Sequence, residues 1–170
     1  MKRWGYGSFL VGLLLSAGCA GYRLGPTNRD LPGSRTVQVI PFDNRTLEPR
    51  VSDATTTALR KEIGREGTFE LATRLKGDLI VSGEILRLDR VELSFTADDV
   101  ATAQDYKLSL TAQVKVRERQ SNRVILDRSF TGSTLMRVGE DLPSVERQSL
   151  PLAAADLARQ ITSALTDGSW

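Results

Sequence analysis

The sequence predicts an α+β fold, a two-layer sandwich in which two helices pack on one face of a four-stranded, mostly antiparallel sheet. Three observations predict this fold: one segment alternates strictly between apolar and polar residues, two segments carry apolar residues at helical spacing, and β-branched runs lie between them. The elements follow the order β-α-β-β-β-α. Because two amphipathic helices cover only one face of such a sheet, the natural arrangement has two layers.

The segment before residue 68 predicts a strand followed by a helix. Thr36–Ile40 is rich in β-branched residues and is followed by Pro41, which is typical of a strand end. Pro49 lies near the start of the next periodic stretch and Gly67 lies just past its end, where these residue types favour helix boundaries. The residues of this helix at helical spacing are Val51, Thr55, Ala58, Leu59, Glu62 and Ile63.

A long second strand is predicted next. After a short link at Phe69–Leu71, a strand begins at Leu79 and continues toward Phe95. Its alternation slips at Ile85–Leu86, and Gly83 lies just before the slip. Since an extra residue in one strand produces such a slip, we expect a β-bulge or a bend there.

The third strand has the clearest pattern in the sequence. Apolar and polar residues alternate without a break from Lys107 to Arg117, so one face of the strand is expected to be buried and the other wet. Gln120–Asn122 predicts a turn into a fourth strand, Val124–Thr131. The predicted buried positions of the third strand are Leu108, Leu110, Ala112, Val114 and Val116.

The chain closes with an amphipathic helix that ends at Asp167–Gly168. Pro151 either begins this helix or kinks one that starts near Ser144. The apolar stripe of the helix consists of Ala154, Leu157, Ala158, Ile161 and Leu165.

The N-terminus has the pattern of a bacterial lipoprotein signal peptide. Lys2 and Arg3 form a basic start, Phe9–Leu15 is an apolar core, and Ser16–Gly18 supplies small residues before Cys19. The apolar run is shorter than the roughly 20 residues that span a bilayer. We therefore predict cleavage before Cys19 and attachment of lipid to its thiol. We expect no other cofactor and no metal site.

These patterns divide the chain into three parts. Residues 1–18 are the predicted signal peptide, residues 19–34 the lipidated N-terminus and tether, and residues 35–170 a single α/β sandwich domain. Ala20 follows the lipidated residue. An Asp there would favour retention in the inner membrane, so the sequence favours a lipid anchor in the outer membrane, on the periplasmic side.

Charge and composition exclude several classes of protein. The chain has 23 basic and 21 acidic residues, and loss of Lys2 and Arg3 leaves the mature chain formally neutral, so no nucleic-acid partner is expected. There is no histidine and a single cysteine, which excludes His-dependent triads, Cys proteases and the usual zinc sites. Asp98–Asp99 is interpreted as a solvated turn. We expect no enzyme, although a glycan hydrolase that uses two carboxylates stays open as an alternative.

Four segments resemble the lipopolysaccharide-assembly lipoproteins, the LptE family. They are Cys19–Leu24, Pro41–Pro49, Asp78–Ile85 and Asp105–Leu108, and they occur in the family's order. The resemblance implies a role outside catalysis. Members of the family plug and help to assemble the large outer-membrane β-barrel, an LptD-like transporter, that inserts lipopolysaccharide into the outer leaflet. Members of the family can also bind lipopolysaccharide themselves, so the resemblance implies that this chain has that capacity. A different envelope scaffold or secretion-associated lipoprotein is the other open class.

Basic residues of the third strand and the hairpin after it are the candidate lipopolysaccharide-binding residues. Lysine and arginine pair with phosphates, arginine in a bidentate way. The alternative is that these charges simply keep the open face of the sheet hydrated. The candidates are Lys107, Lys115, Arg117, Arg119, Arg123 and Arg128.

Overall fold

A computed structural model describes residues 35–72, 76–96, 99–137 and 142–168; for residues 94–96 and 99–104 it describes the backbone alone. The predicted signal peptide, Cys19 and the tether lie outside the described residues. The described elements are β1 (Thr36–Val39), β2 (Asp43–Asn44), α1 (Val51–Glu66), β3 (Glu70–Leu71), β4 (Leu79–Thr96), β5 (Asp99–Glu118), β6 (Val124–Arg137) and α2 (Leu142–Thr166).

The sheet is mixed, and its strand order is β3-β1-β4-β5-β6, with β2 pairing beside β1 on β4. β1 pairs in parallel with both β3 and β4, whereas β4, β5 and β6 form an antiparallel meander. The predicted α+β fold with two helices is confirmed. The prediction of four mostly antiparallel strands is wrong, because α1 crosses over between β1 and β4 and so makes these neighbours parallel.

The two additional strands are each two residues long. β3 contains Glu70 and Leu71, which the sequence predicts as part of a link, and it pairs with Thr36 and Val37 of β1. β2 pairs in parallel with β4. A two-residue strand is too short to show alternation, so the hydrophobic pattern carries no signal for either strand.

The predicted irregularity in β4 is a β-bulge. Ile85 pairs with Ala112 and Arg87 with Thr111, so Leu86 is the extra residue. Gly83, two residues before Ile85, allows Phe42 to pack against the strand, since a Cβ there would clash with the Phe42 ring and lie 2.8 Å from its Cδ1. Gly83 therefore serves the packing of Phe42, while the slip itself follows from Leu86.

The core lies between the sheet and the two helices. Every apolar position predicted to be buried on β5 is buried, from Leu108 to Val116, which confirms the alternation. β6 is longer than predicted and ends at Arg137 rather than Thr131. α2 begins at Leu142, so Pro151 lies inside the helix and does not begin it. The other core residues of α1 and α2 include Val51, Leu59, Ile63, Leu157, Ile161 and Leu165.

Candidate functional site

One face of the sheet is not covered by the helices, and three of the six candidate residues lie on it. Residues that pair directly across antiparallel strands point to the same face. The register therefore places Lys107, Lys115 and Arg117 of β5 on the face opposite the core, which we call the open face. Ser109, Thr111 and Gln113 lie between them on the same strand, so β5 presents a continuous polar stripe on the open face.

Lys115, toward the hairpin end of the open face, is paired with a carboxylate. Lys115 Nζ lies 3.2 Å from Asp127 Oδ2, and Gln113 Nε2 donates to Asp127 Oδ1 at 2.7 Å. The hydrogen bond from Gln113, followed by that from Lys115, holds the pKa of Asp127 below its ordinary value. Arg45 forms an ion pair with Glu84 at the edge of the same region. The Lys115 ammonium is therefore already balanced by a carboxylate.

Arg117, Arg119 and Arg123 lie at the hairpin end of β5. Arg117 Nη1 donates to Asn122 Oδ1 at 3.3 Å, and its buried Nε has no hydrogen-bond acceptor among the described residues. Arg119 Nε donates to the Gly77 carbonyl at 2.7 Å, and its backbone N–H donates to the Asp78 carbonyl at 2.8 Å. Arg119 thus joins the start of β4 to the end of β5, which is a structural role.

Arg128 lies on the other face of the sheet. It pairs in register with the buried Val114, and its guanidinium lies 5.2 Å from the centre of the Phe130 ring. This is a cation–π contact at the rim of the core. Arg128 is therefore not on the same face as Lys115 and Arg117.

Lys107 lies far from the other candidates, between two aliphatic residues of the neighbouring strands. The register puts Val91 on one side of it and Leu135 on the other, with exposures of 51% and 70%. We call Val91, Lys107 and Leu135 the distal patch. Eight residues at about 3.3 Å each separate Lys107 from Lys115 by roughly 26 Å. Lys107 has no ion pair in the part of the chain whose side chains are described.

The sequence-predicted basic cluster is therefore three separate sets. Lys115, Arg117, Arg119 and Arg123 lie toward the hairpin end, Lys107 lies in the distal patch, and Arg128 lies on the face of the sheet that the helices cover. The sequence pattern does not indicate the apolar members of the distal patch. They belong to strands on either side of β5, and alternation within one strand does not show which residues of its neighbours will flank it.

A groove of about 890 Å³ lies between the two helices, on the side away from the sheet. Small or apolar residues line it, such as Ala54, Ala58 and Leu150, and charged residues stand around them. Several of these charges are paired within the domain, as in the 2.7 Å contact of Arg65 with Glu62. The groove was not predicted, since alanines on a helix face are equally typical of close packing.

Two classes of feature are absent from residues 35–72, 76–96, 99–137 and 142–168. No group of three or more acidic, histidine or cysteine side chains is placed to hold a metal ion there. None of the helices in those segments is both long and apolar enough to cross a membrane.

Comparison with known proteins points to one family. The model of the lipopolysaccharide-assembly family LptE matches residues 34–165. No curated protein sequence matches the chain.

Several solved structures share the fold. Protein XCC0632 of Xanthomonas campestris aligns with a TM-score of 0.58 at 12% identity, over 87% of this chain and 93% of its own. The hypothetical protein CT253 of Chlamydia trachomatis aligns with a TM-score of 0.55 at 11% identity, over 79% and 96%. A minor lipoprotein of Acinetobacter baumannii aligns with a TM-score of 0.51 at 16% identity, over 78% and 93%.

Proposed function

The chain belongs to the lipopolysaccharide-assembly family LptE, and from that premise we propose that it is an outer-membrane lipoprotein held by lipid on Cys19. On the periplasmic side it forms a complex with a large LptD-like β-barrel, plugs that barrel and helps it to assemble. In this role the domain binds and positions other molecules and carries out no chemical reaction.

The shape of the meander supports this role. At about 3.3 Å per residue, the 20 residues of β5 extend over roughly 66 Å if straight, about twice the hydrocarbon thickness of a bilayer. A domain of this length is suited to lie along the lumen of a barrel. Barrels of about 22 strands or more have lumens wide enough to hold a plug. The polar stripe that β5 presents on the open face fits the polar interior of such a barrel.

We propose further that the distal patch binds lipopolysaccharide. The observation that carries this proposal is the position of Lys107, a cation that has no ion pair among the described side chains and is flanked by two exposed aliphatic side chains, Val91 and Leu135. An ammonium group pairs with a phosphate, and exposed aliphatic groups cover an acyl chain. Lys115 lacks both features, because Asp127 neutralises it and its neighbours on the open face are polar.

Charge reversal tests this assignment. In the detergent-extracted protein, Lys107→Glu is expected to weaken lipopolysaccharide binding about tenfold, because one charge-assisted hydrogen bond is worth about 1.5–3 kcal/mol. The paired substitution Lys115→Glu/Arg117→Glu tests the hairpin end in the same binding assay. Lys61→Glu, on an exposed position of α1, is the matched control for the change in charge.

The outcomes separate the two ends of the sheet. A loss confined to Lys107→Glu supports the distal patch, and a loss confined to the paired substitution moves the site to the hairpin end. Unchanged binding in both removes the open face from the lipopolysaccharide site.

The partner is tested independently by affinity purification of the membrane-extracted protein. We expect the co-purifying protein to be a large outer-membrane β-barrel. A secretion apparatus or another envelope complex in its place would refute the proposed partnership while leaving the family membership intact.

A further inference from the structure

β6 ends the strand order in the part of the chain that the structure describes, so one side of its backbone faces away from the sheet. It is 14 residues long. A long edge strand presents N–H and C=O groups to which a strand of another chain can add. The groups that contact this edge therefore decide whether the domain accepts a further strand.

Two side chains of α2 bind the middle of the edge. The Ser133 N–H donates to Asp156 Oδ2 at 2.9 Å, and Gln160 Nε2 donates to the Thr131 carbonyl oxygen at 2.9 Å. Thr131 and Ser133 are alternate residues, so their outward-facing groups lie side by side on the edge. In an added parallel strand, a single residue would supply the same two groups: its carbonyl oxygen would accept from the Ser133 N–H, and its N–H would donate to the Thr131 carbonyl.

Asp156 is held in place for this contact. Arg159 Nη2 donates to its Oδ1 at 2.8 Å, and Gln160 Nε2, one helical turn on, lies 3.2 Å from its Oδ2. Burial raises the pKa of Asp156, but the Ser133 N–H and Arg159 together hold it below its ordinary value. The carboxylate is therefore ionised, and ready to accept a hydrogen bond, at neutral pH.

Gly132 explains how a helix reaches the edge at this point. It lies between Thr131 and Ser133, and a Cβ on it would come within 2.6 Å of Leu157 Cα. The absence of a side chain lets the α2 backbone lie directly on β6. That close approach brings Asp156 and Gln160, on either side of Leu157 along α2, within hydrogen-bond distance of the edge.

We propose that Asp156 and Gln160 close the β6 edge and thereby prevent the domain from adding a strand of a second copy of itself. On one flank of the closed stretch, Asp127 and Arg128 are charged and exposed, which is a second protection that natural edge strands use. This function is independent of lipopolysaccharide binding, since it involves the edge and not the distal patch.

The test is to open the edge in the full-length protein in detergent. In Asp156→Ala/Gln160→Ala the Ser133 amide is expected to exchange with deuterium about tenfold faster, as for the loss of one charge-assisted hydrogen bond. Light scattering should show association that grows with protein concentration. Asp156→Asn keeps an acceptor and should remain monomeric, as should Asp53→Ala, which removes a charge from the exposed side of α1.

A further substitution identifies the surface that associates. Ser129→Lys, added to the open-edge variant, places a charge on β6 and is expected to restore the monomer. Association that persists with Ser129→Lys would overturn the proposal, as would a folded, monomeric open-edge variant with unchanged Ser133 exchange. If the double variant loses its far-UV circular dichroism, Gln160→Ala, at an exposed position, takes its place and is judged by association alone, because Asp156 still binds the Ser133 N–H in that variant.

Discussion

Asp78 joins the first strand of the sheet to the long meander. Its Oδ2 accepts hydrogen bonds from the Thr36 N–H at 3.0 Å and from the Thr36 hydroxyl at 2.8 Å. The Asp78 N–H donates back to Thr36 Oγ1 at 3.0 Å. The two residues are 42 positions apart in sequence. Their hydrogen bonds hold the start of β1 beside the start of β4, directly before the first residue pair of the parallel ladder.

This carboxylate makes stability depend on pH. The hydrogen bonds from Thr36 hold the pKa of Asp78 below its ordinary value. A group with a lowered pKa in the folded state stabilises the fold above its ordinary pKa and loses that effect as pH falls through the folded value. We therefore expect Asp78→Asn to lower the free energy of unfolding at pH 7. We also expect it to make the decline below about pH 4 shallower.

Urea unfolding across the acid range measures both effects of Asp78→Asn. Asp53→Asn removes the same charge from the exposed side of α1 and should leave the pH dependence close to that of the natural protein. An identical pH profile for Asp78→Asn and the natural protein would show that Thr36 does not stabilise the ionised form.

Among the elements, the contact between α2 and β6 depends on a single glycine. Gly132→Ala is expected to lower the free energy of unfolding by about 1–3 kcal/mol, because the new methyl group meets the helix backbone and not a movable side chain. Gly64→Ala is the matched control, since a Cβ at Gly64 meets nothing within 4 Å. Inside α1 it should stabilise by about 0.5–1 kcal/mol.

Chemical denaturation of both glycine variants gives the comparison directly. Equal stability of Gly132→Ala and the natural protein would mean that α2 can move away from the strand without cost. In that case the position of Asp156 over the edge would also be less constrained than the hydrogen bonds indicate.

The sequence predicts long elements well and short pairings poorly. The burial of β5 follows directly from its alternation, and the helical stripe of α2 follows from its spacing. Glu70–Leu71 forms a strand only because it pairs with β1, which lies 34 residues earlier in the sequence and does not show in the local pattern. Likewise, a basic residue is visible in a sequence, but the carboxylate that neutralises it, such as Asp127 beside Lys115, depends on register.

At the scale of the whole molecule, the proposed membrane anchor is lipid attached to Cys19. Lipid with two or more acyl chains holds a protein to a membrane nearly permanently, with about 0.8 kcal/mol for each buried CH₂. Cys19→Ala should therefore leave the chain unlabelled by radioactive palmitate and release it from the membrane or leave it uncleaved. Label retained by this variant would place the lipid elsewhere, and Ser16→Ala, which keeps the thiol, serves as the control.

The extra residue Leu86 decides which side chains β4 presents to each side from Arg87 to Glu92, after which the register changes again. Before it, even-numbered residues such as Glu84 lie on the open face; after it, odd-numbered residues such as Val91 do. Without that change of parity, Val91 would turn toward α2 and Arg90 would turn away from Glu146, its ion-pair partner at 2.9 Å. The single extra residue therefore sets two features at once: the ion pair that joins β4 to α2, and the exposure of Val91 on the open face. A one-residue shift of the strand would change both together.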